Sequence, residues 1–435
     1  MPENINIEYK ENWNEEHLKQ ICSFANANGG VLFIGINDKG DITGIHNFKK
    51  LMDDLPNIIQ AKLGIFAEVE LLESDKKYYI KISVNPSSMA ISLRGTYYQR
   101  TGTTTKELTG NALTEFLLKR SGLSWGDVVE ERASFDDINE SSVKTYKADA
   151  EKSGRIPDVI TLTTTDLFEK LHLIDNGKLK RAAIILFGKD PEKYYPQSHV
   201  KIGRFVSNDS SPKFHEIIEG NLITLQKRVF EIIETKFMVK NISYDGVHRI
   251  ETPEYPFAAL REAIMNALIH RDYMGSMTQI RINDDSFQIW NDGPLVDGLT
   301  IEQLKQNHPS KPRNKLIAEV CLKGGYIEAW GTGIPRIINA CRMANLPAPT
   351  IEETSGGFQI TITNISESAL IKLGLNERQI KAYQYVRTHG KITNAIYQKL
   401  NNIGKTFSTK ELYELVSLGL LKHSGTGRGS IYTFY

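Results

Sequence analysis

Residues 261–271 read REAIMNALIHR, and the spacing of apolar side chains around them sets the reading of the chain. From Pro256 to Asp272, Phe257, Leu260, Ile264, Ala267 and Leu268 recur at helical period, which predicts an amphipathic helix. On such a helix Glu262 and Asn266 stand one turn apart on the same face. A carboxylate there can orient or deprotonate water. The amide oxygen four residues on can join the shell of a divalent cation that also holds phosphate oxygens. His270 extends the stripe by another turn, where packing beside such a site is the expected role. Further along, MTQIRI (277–282) and DSFQIW (285–290) alternate as strands do and are joined by an Asn283-Asp284-Asp285 turn. Asp292 then falls at a strand end, and Gly293 permits a sharp turn after it. A carboxylate in that position can accept a hydrogen bond from an exocyclic amino group, which separates adenine from guanine. In WGTGIPRI (330–337), Gly331 and Gly333 precede a helix-like run, and free N–H groups at a helix start accommodate phosphate.

These three fragments, in this order, resemble the ATPase fold shared by gyrase, Hsp90, histidine kinases and MutL (GHKL), in the divergent form carried by bacterial regulator-like proteins. The resemblance implies an α/β sandwich over residues 251–365, with ATP and Mg²⁺ as cofactors and a weak ATPase as the enzymatic expectation. It implies Glu262 as the catalytic glutamate, Asn266 as the magnesium-binding asparagine, Asp292 with Gly293 as the adenine site, and Gly331 and Gly333 as the second glycine motif. QNHPSKPRNKL (306–316), with Lys311, Arg313 and Lys315, would be a lid over the phosphates. The chain departs from the family's DxGxG: Asp292-Gly293-Pro294-Leu295 lacks the second glycine.

With 435 residues the chain exceeds one typical core, and three or four domains are expected. No apolar run of about 18 residues occurs, and MPENINIEYKENW lacks the basic and apolar regions of a signal peptide. The expectation is a cytoplasmic protein with no membrane segment. Cys22, Cys321 and Cys341 are far apart and odd in number, which argues against a disulfide framework or a zinc site. A net charge of +1 excludes a uniformly basic nucleic-acid coat, yet charge is uneven. From Leu370 to Tyr435, ten Lys/Arg stand against three Glu, a difference of +7.

That basic segment reads as three helices, ERQIKAYQYVRTHG (377–390), ITNAIYQKL (392–400) and TFSTKELYELVSLGLL (406–421), then a Gly-rich hairpin ending in SIYTFY. The order resembles a winged helix-turn-helix over residues 370–435, a common module of bacterial regulators. Leu412, Leu415, Val416 and Leu420 would seat the third helix, leaving Lys405, Thr406, Ser408, Thr409 and Lys410 near its exposed start. Arg428, at the hairpin tip, would lie over a backbone or in a minor groove. Such modules bind either nucleic acid or protein. Ile403-Gly404-Lys405-Thr406 is not a P-loop, because Lys399 stands where that motif requires glycine.

At the other end, EEHLKQICSFANANGG (15–30) reads as a helix stopped by glycines, followed by the buried-type strand VLFIGIND (31–38). EVELLESDKKYYIKISV (68–84) and ISLRGTYYQRTG (91–102) supply more strands, and ELTGNALTEFLLKRSG (107–122) closes with a helix. The segments Glu8-Tyr9-Lys10, SFANANGGVLFIGIND and YYQRTGTTT resemble the Schlafen/AlbA_2 domain over residues 1–125, a family of nucleic-acid binders and RNA-cleaving enzymes. In the cleaving members three acids hold divalent metal, and the matching positions here are Glu3, Glu8 and Asp38, with Lys10 nearby. Hard cations prefer such oxygen ligands. Contact without cleavage falls to Arg94, Tyr97, Tyr98, Gln99 and Arg100, since interleaved aromatics and arginines stack on bases and pair with phosphates.

Between these ends, DVVEERASFDDINESS (127–142) reads as a linker into a connector over residues 126–250. In it RAAIILFG (181–188) and HVKIGRFV (199–206) read as buried strands and 221–237 as a long amphipathic helix whose face suits either subunit pairing or packing on the ATPase region. Arg204 and His215 are expected in exposed loops. The fold class is therefore multidomain α+β. The expected function is ATP-responsive binding of DNA or RNA by a homodimeric transcriptional regulator. The alternative is a Schlafen-like metal-dependent nuclease gated by ATP, in defence against foreign nucleic acid.

Overall fold

A computed structural model describes residues 3–205, 211–245, 248–296, 298–328, 330–365 and 367–434. The chain forms two compact units that meet in sequence between Ser124 and Trp125.

The first unit runs β1 (Ile7–Lys10), α1 (Leu18–Ala25), β2 (Gly30–Ile34), α2 (Phe48–Leu63), β3 (Glu68–Ser74) and β4 (Lys77–Val84). It continues with β5 (Ser92–Leu93), β6 (Thr96–Thr101), β7 (Thr104–Glu107) and α3 (Gly110–Arg120). One sheet has the order β1-β2-β4-β3, with β1 parallel to β2, and the other the order β5-β6-β7. Helix α1 packs against β2 and β6 and buries Leu18, Ile21, Cys22, Phe24 and Ala25. Helix α2 has no counterpart in the sequence reading. Its Leu51, Leu55, Ile59 and Leu63 form a buried stripe, while Pro56 sits on the exposed side.

The second unit opens with α4 (Glu140–Ser153), α5 (Thr164–Lys170), a small hairpin of β8 (Ile174–Asp175) and β9 (Lys178–Leu179), and α6 (Arg181–Phe187). Then come β10 (Val200–Arg204), β11 (Phe214–Ile218), α7 (Leu222–Ile232), a hairpin of β12 (Lys240–Asp245) and β13 (His248–Pro253), and α8 (Phe257–His270). The hairpin β14 (Thr278–Ile282) and β15 (Ser286–Asp292) follows, then α9 (Ile301–Leu304), α10 (Lys315–Lys323), α11 (Gly333–Met343), β16 (Thr350–Thr354) and β17 (Gly357–Thr363). The main sheet has the order β11-β10-β14-β15-β17-β16, and β10 runs parallel to β14. One hydrophobic core extends from Ile138 to Ile362. The segment expected as a connector therefore shares its core and its sheet with the region beyond residue 251.

RAAIILFG is a helix, α6, not the expected strand. Ala182 to Phe187 are all buried, so the run is apolar on every side and carries no period to distinguish helix from strand. Helix α8 is likewise enclosed rather than amphipathic on a surface. It buries eight residues and lies against β15 between α7 and α11.

The chain ends in α12 (Glu367–Lys372), α13 (Glu377–His389), α14 (Asn394–Asn401), α15 (Lys405–Ser417) and the hairpin β18 (Lys422–Ser424) and β19 (Ile431–Thr433). These have their own core, including Ile380, Tyr383, Val386, Tyr397, Leu412, Leu415 and Leu421. Glu411 is buried inside it and accepts hydrogen bonds from Tyr397 Oη (2.8 Å), Asn376 Nδ2 (2.8 Å) and the Arg378 guanidinium (2.5 Å). Among the described residues no helix is long and apolar enough to cross a membrane.

Candidate functional site

The second unit holds a cleft of about 1080 Å³, measured to its open mouth, between α8, the end of β15, the 293–312 segment and the start of α11. Because α8 is packed on its other sides, its polar residues Glu262 and Asn266 face this space. The glycine loop comes up against them. A Cβ added at Gly333 would lie 2.7 Å from both Glu262 Oε1 and Asn266 Nδ2. Gly331 has φ +63°, and a Cβ there would lie 1.8 Å from the His308 carbonyl oxygen. Thr332 caps α11 with no side-chain hydrogen bond, so the first N–H groups of the helix lack a side-chain acceptor beside the cleft.

Asp292 does not line the cleft. Its Oδ2 accepts from Ser276 N (2.6 Å) and its Oδ1 from Gly293 N (2.7 Å), which commits the carboxylate to shaping the turn. The residue in the wall is Asn291. The cause is strand alternation: Phe287, Ile289 and Asn291 are buried on one face of β15, and Asp292 is on the other. Asp292, expected in the site, is thus held in the turn, and its neighbour Asn291 stands in the cleft wall.

Of the lid cations, Lys311 lines the cleft. Arg313 packs against Gly293 and donates from Nη2 to the Pro294 carbonyl (2.8 Å), and Lys315 is exposed on α10 outside the cleft. Asn314, absent from the sequence reading, is buried and donates from Nδ2 to the carbonyls of Ile269 and Arg271, both at 2.8 Å. It ties the lid segment to the C-terminus of α8. His270 lines the cleft, and burial, with Arg313 and His308 adding, pushes its pKa down to about 4. It is neutral at pH 7. Arg271 is fully buried and donates to the carbonyls of Ser198 (2.9 Å), His199 (3.3 Å), Ser276 (3.0 Å) and Gln197. Its adjacency to His270 was the available signal, but three of the four acceptors come from residues 197–199, which local sequence does not join to it.

In the first unit Glu3 and Glu8 both reach the Lys10 ammonium, at 3.9 and 2.7 Å, but the three expected metal acids do not gather as one set. Glu8 is buried and pairs with Arg100 (2.6 Å) and Lys10 (2.7 Å). Glu3 accepts from Tyr9 N (2.9 Å), and Asp38 is exposed in a turn. Among the described residues no three His, Cys, Asp or Glu side chains group as metal ligands. Arg100 is not a surface cation, since its guanidinium also donates to the Asn4 and Ile5 carbonyls. Arg94 is exposed and pairs with Glu15 (3.3 Å). Tyr97 packs near Phe116, Tyr98 lies against the core, and Gln99 is partly buried.

On α15, Lys405, Thr406 and Lys410 are exposed, whereas Ser408 is buried and donates to Asn394 Oδ1 (2.9 Å). Thr409 accepts from Asn394 Nδ2 (2.8 Å). Both hydroxyls therefore fasten α15 to α14, and neither is an open contact for a ligand. The Arg428 side chain lies outside the described residues. Arg204 is on β10, not in a loop, and pairs with Asp284 (3.2 Å), while His215 is exposed on β11.

Two of these regions match known families. Residues 3–109 match the family Schlafen, AlbA_2, and residues 275–362 match HATPase_c_4, described as "Putative ATP-dependent DNA helicase recG C-terminal". The chain carries an AlbA_2 domain and an ATPase-type domain. Residues 121–201 match a domain of unknown function, DUF8451. The ATPase-type match begins after α8, so it does not cover Glu262 or Asn266. The chain is also similar to the crystal structure of the DIP2311 protein from Corynebacterium diphtheriae, at 18% identity over 99% of this chain and 92% of that one, with a TM-score of 0.48. No curated protein matches it.

Proposed function

We propose that the cleft binds ATP with Mg²⁺ and that the protein is a nucleic-acid-binding regulator whose grip responds to that nucleotide. The carrying observation is the convergence of Glu262, Asn266 and Gly333 at one end of a cleft whose wall also includes Asn291. The first N–H groups of α11 and the Lys311 ammonium hold phosphate oxygens. Asn266 supplies one oxygen to Mg²⁺, a cation that keeps most of its shell as water and substrate phosphate. The donor set fits, because the Asn266 side chain has no hydrogen-bond partner among the described residues. A Mg²⁺ ion held there would supply charge neutralisation to the phosphates. Glu262 orients a water for slow hydrolysis. Asn291, rather than Asp292, reads the base, its amide both donating and accepting.

The nucleic-acid half rests on the AlbA_2 match and on α13, α14 and α15 followed by a hairpin, which we read as a winged helix with Lys405, Thr406 and Lys410 at the open start of its third helix. Arg94 is the exposed cation of the first unit's β5-β6 turn. Two copies would present two such helices to two half-sites of DNA, or to RNA.

Calorimetry with ATP and GTP, with and without Mg²⁺, tests the cleft. Mg²⁺-dependent ATP binding is expected in the wild type and is lost in Asn266→Ala and Asn291→Ala, with GTP measuring how far the Asn291 amide prefers one base. A folded wild type that takes up no ATP refutes the proposal. Equal affinity for nucleic acid with and without ATP refutes the regulatory half, because coupling between two sites must register at both.

A further inference from the structure

Glu328 and Arg336 flank the glycine loop in sequence and meet across it. Arg336, on the first turn of α11, donates from Nη2 to Glu328 Oε2. Its Nη1 lies 3.9 Å from Glu262 Oε2. Glu328 itself lines the cleft, alongside Glu262, Gly331 and Gly333. Two carboxylates of the cleft wall therefore share one guanidinium, and Arg336 itself is not among the residues of that wall. A polyanion entering the cleft there reaches the arginine by displacing one of them.

We infer that Glu328 is an internal competitor for the terminal phosphate of the nucleotide, holding the Arg336 guanidinium that a triphosphate must take over. Carboxylate and phosphate oxygens accept from a guanidinium in the same forked geometry, so one can replace the other without rebuilding the site. The pair is suited to exchange. Both side chains are 45% exposed, and solvent screening keeps such a pair weak. Glu262, at 17% exposed, is the more enclosed carboxylate, and it stays beside Arg336 when Glu328 leaves. Arg336 is thus a positioning residue for Glu262 and a specificity residue for the third phosphate, and Glu328 sets the threshold at which both roles begin. This inference rests on the ATP reading above.

The test is calorimetry on the full chain with Mg-ATP, with Mg-ADP and with inorganic tripolyphosphate, using wild type, Glu328→Gln, Arg336→Gln and the double variant. Glu328→Gln keeps the side chain's length and shape, Arg336→Gln shortens it and removes its charge, both at half-exposed positions, and thermal melts check that folding is unchanged. Glu328→Gln is expected to tighten ATP by about fivefold, the scale of one screened ion pair, and to change ADP by less than about twofold. Arg336→Gln weakens ATP by a similar factor, and in the double variant the gain from Glu328→Gln disappears. The inference is overturned if Glu328→Gln leaves ATP unchanged or weakens it, or tightens ATP and ADP equally. It is also overturned if the gain survives in the Arg336→Gln background, which would make Glu328 a mere source of repulsion. A wild type that binds neither nucleotide removes the ATP reading. Tripolyphosphate, which needs no base recognition, then decides this inference: tightening by Glu328→Gln that requires Arg336 supports it, and no tightening overturns it.

Discussion

Two glycines separated by one residue should respond to alanine in opposite ways. Gly333 begins α11 with no left-handed torsion, so alanine there keeps the backbone and gains up to about 1 kcal/mol of helix propensity. Its new methyl, however, would sit 2.7 Å from Glu262 Oε1 and Asn266 Nδ2, against 3.4 Å for ordinary contact. Both are ends of flexible side chains, so they retreat and the fold survives. Displacements approaching 1 Å among positioning groups carry penalties of about a hundredfold in favourable cases. We expect Gly333→Ala to lose at least about tenfold in ATP affinity, or about 1.4 kcal/mol, with an unchanged or slightly raised urea midpoint. Gly331→Ala meets different neighbours. Its φ of +63° costs an L-residue about 1–2 kcal/mol, and its methyl would stand 1.8 Å from a backbone oxygen that has no rotamer to change. The loop must part from His308, and we expect a total loss of about 3 kcal/mol in stability. Urea melts followed by calorimetry on both variants make the check. A folded Gly333→Ala that binds ATP as the wild type does would refute the placement of the phosphates beside Glu262 and Asn266. A Gly331→Ala as stable as wild type would refute the close approach of the loop to His308.

Three further outcomes are expected. His270 takes up a proton near 6.5 when unfolded but only at about 4 when folded, so the unfolded chain binds it first and stability falls as pH drops through that window. The loss amounts to about 3 kcal/mol, and His270→Gln should flatten urea midpoints measured from pH 7 to pH 4. Glu411 is held below the usual carboxylate range, chiefly by the hydrogen bond from Arg378. Its contribution is full above the unfolded carboxylate pKa and lost as pH falls through the folded one, and Glu411→Gln should remove about 1–2 kcal/mol at pH 7 as read by thermal melts. Arg271→Met strips four carbonyls of their buried donor and should cost about 3 kcal/mol or more, whereas a melt within 0.5 kcal/mol of wild type, about the scatter of surface substitutions, would show those carbonyls finding other donors.

The elements around the cleft were readable where period and punctuation agreed. Helix α8, the β14–β15 hairpin and α11 each carry their own local signal. Reading failed where the signal is not local. The all-apolar run of α6 looks the same from every side, and in α2 Pro56 falls within the helix, on the side opposite its buried stripe, where a proline ordinarily signals a break. Asp292 stands out in the sequence as a carboxylate at a strand end, but the alternation of β15 puts Asn291 on the face of Ile289 and in the cleft wall. Arg100 and Ser408 looked like open contacts because the residues that occupy them, Glu8 and Asn394, come from other elements. Sequence shows which residues can bond, but only the fold shows which have already done so.

The pairing of β10 with β14 separates a unit of descent from a unit of folding. The ATPase-type match spans 275–362, yet β14 spends one edge on β10, whose paired residues lie 78 positions earlier, and the other on β15, which ends beside Asn291. Cut at the match boundary, the chain would lose α8 and leave β14 as a bare edge open to pairing with other chains. Within the intact protein the same bonds form a continuous backbone path from the 200–204 strand to the wall of the cleft. Strain applied on one side can therefore be felt on the other without any side chain as messenger.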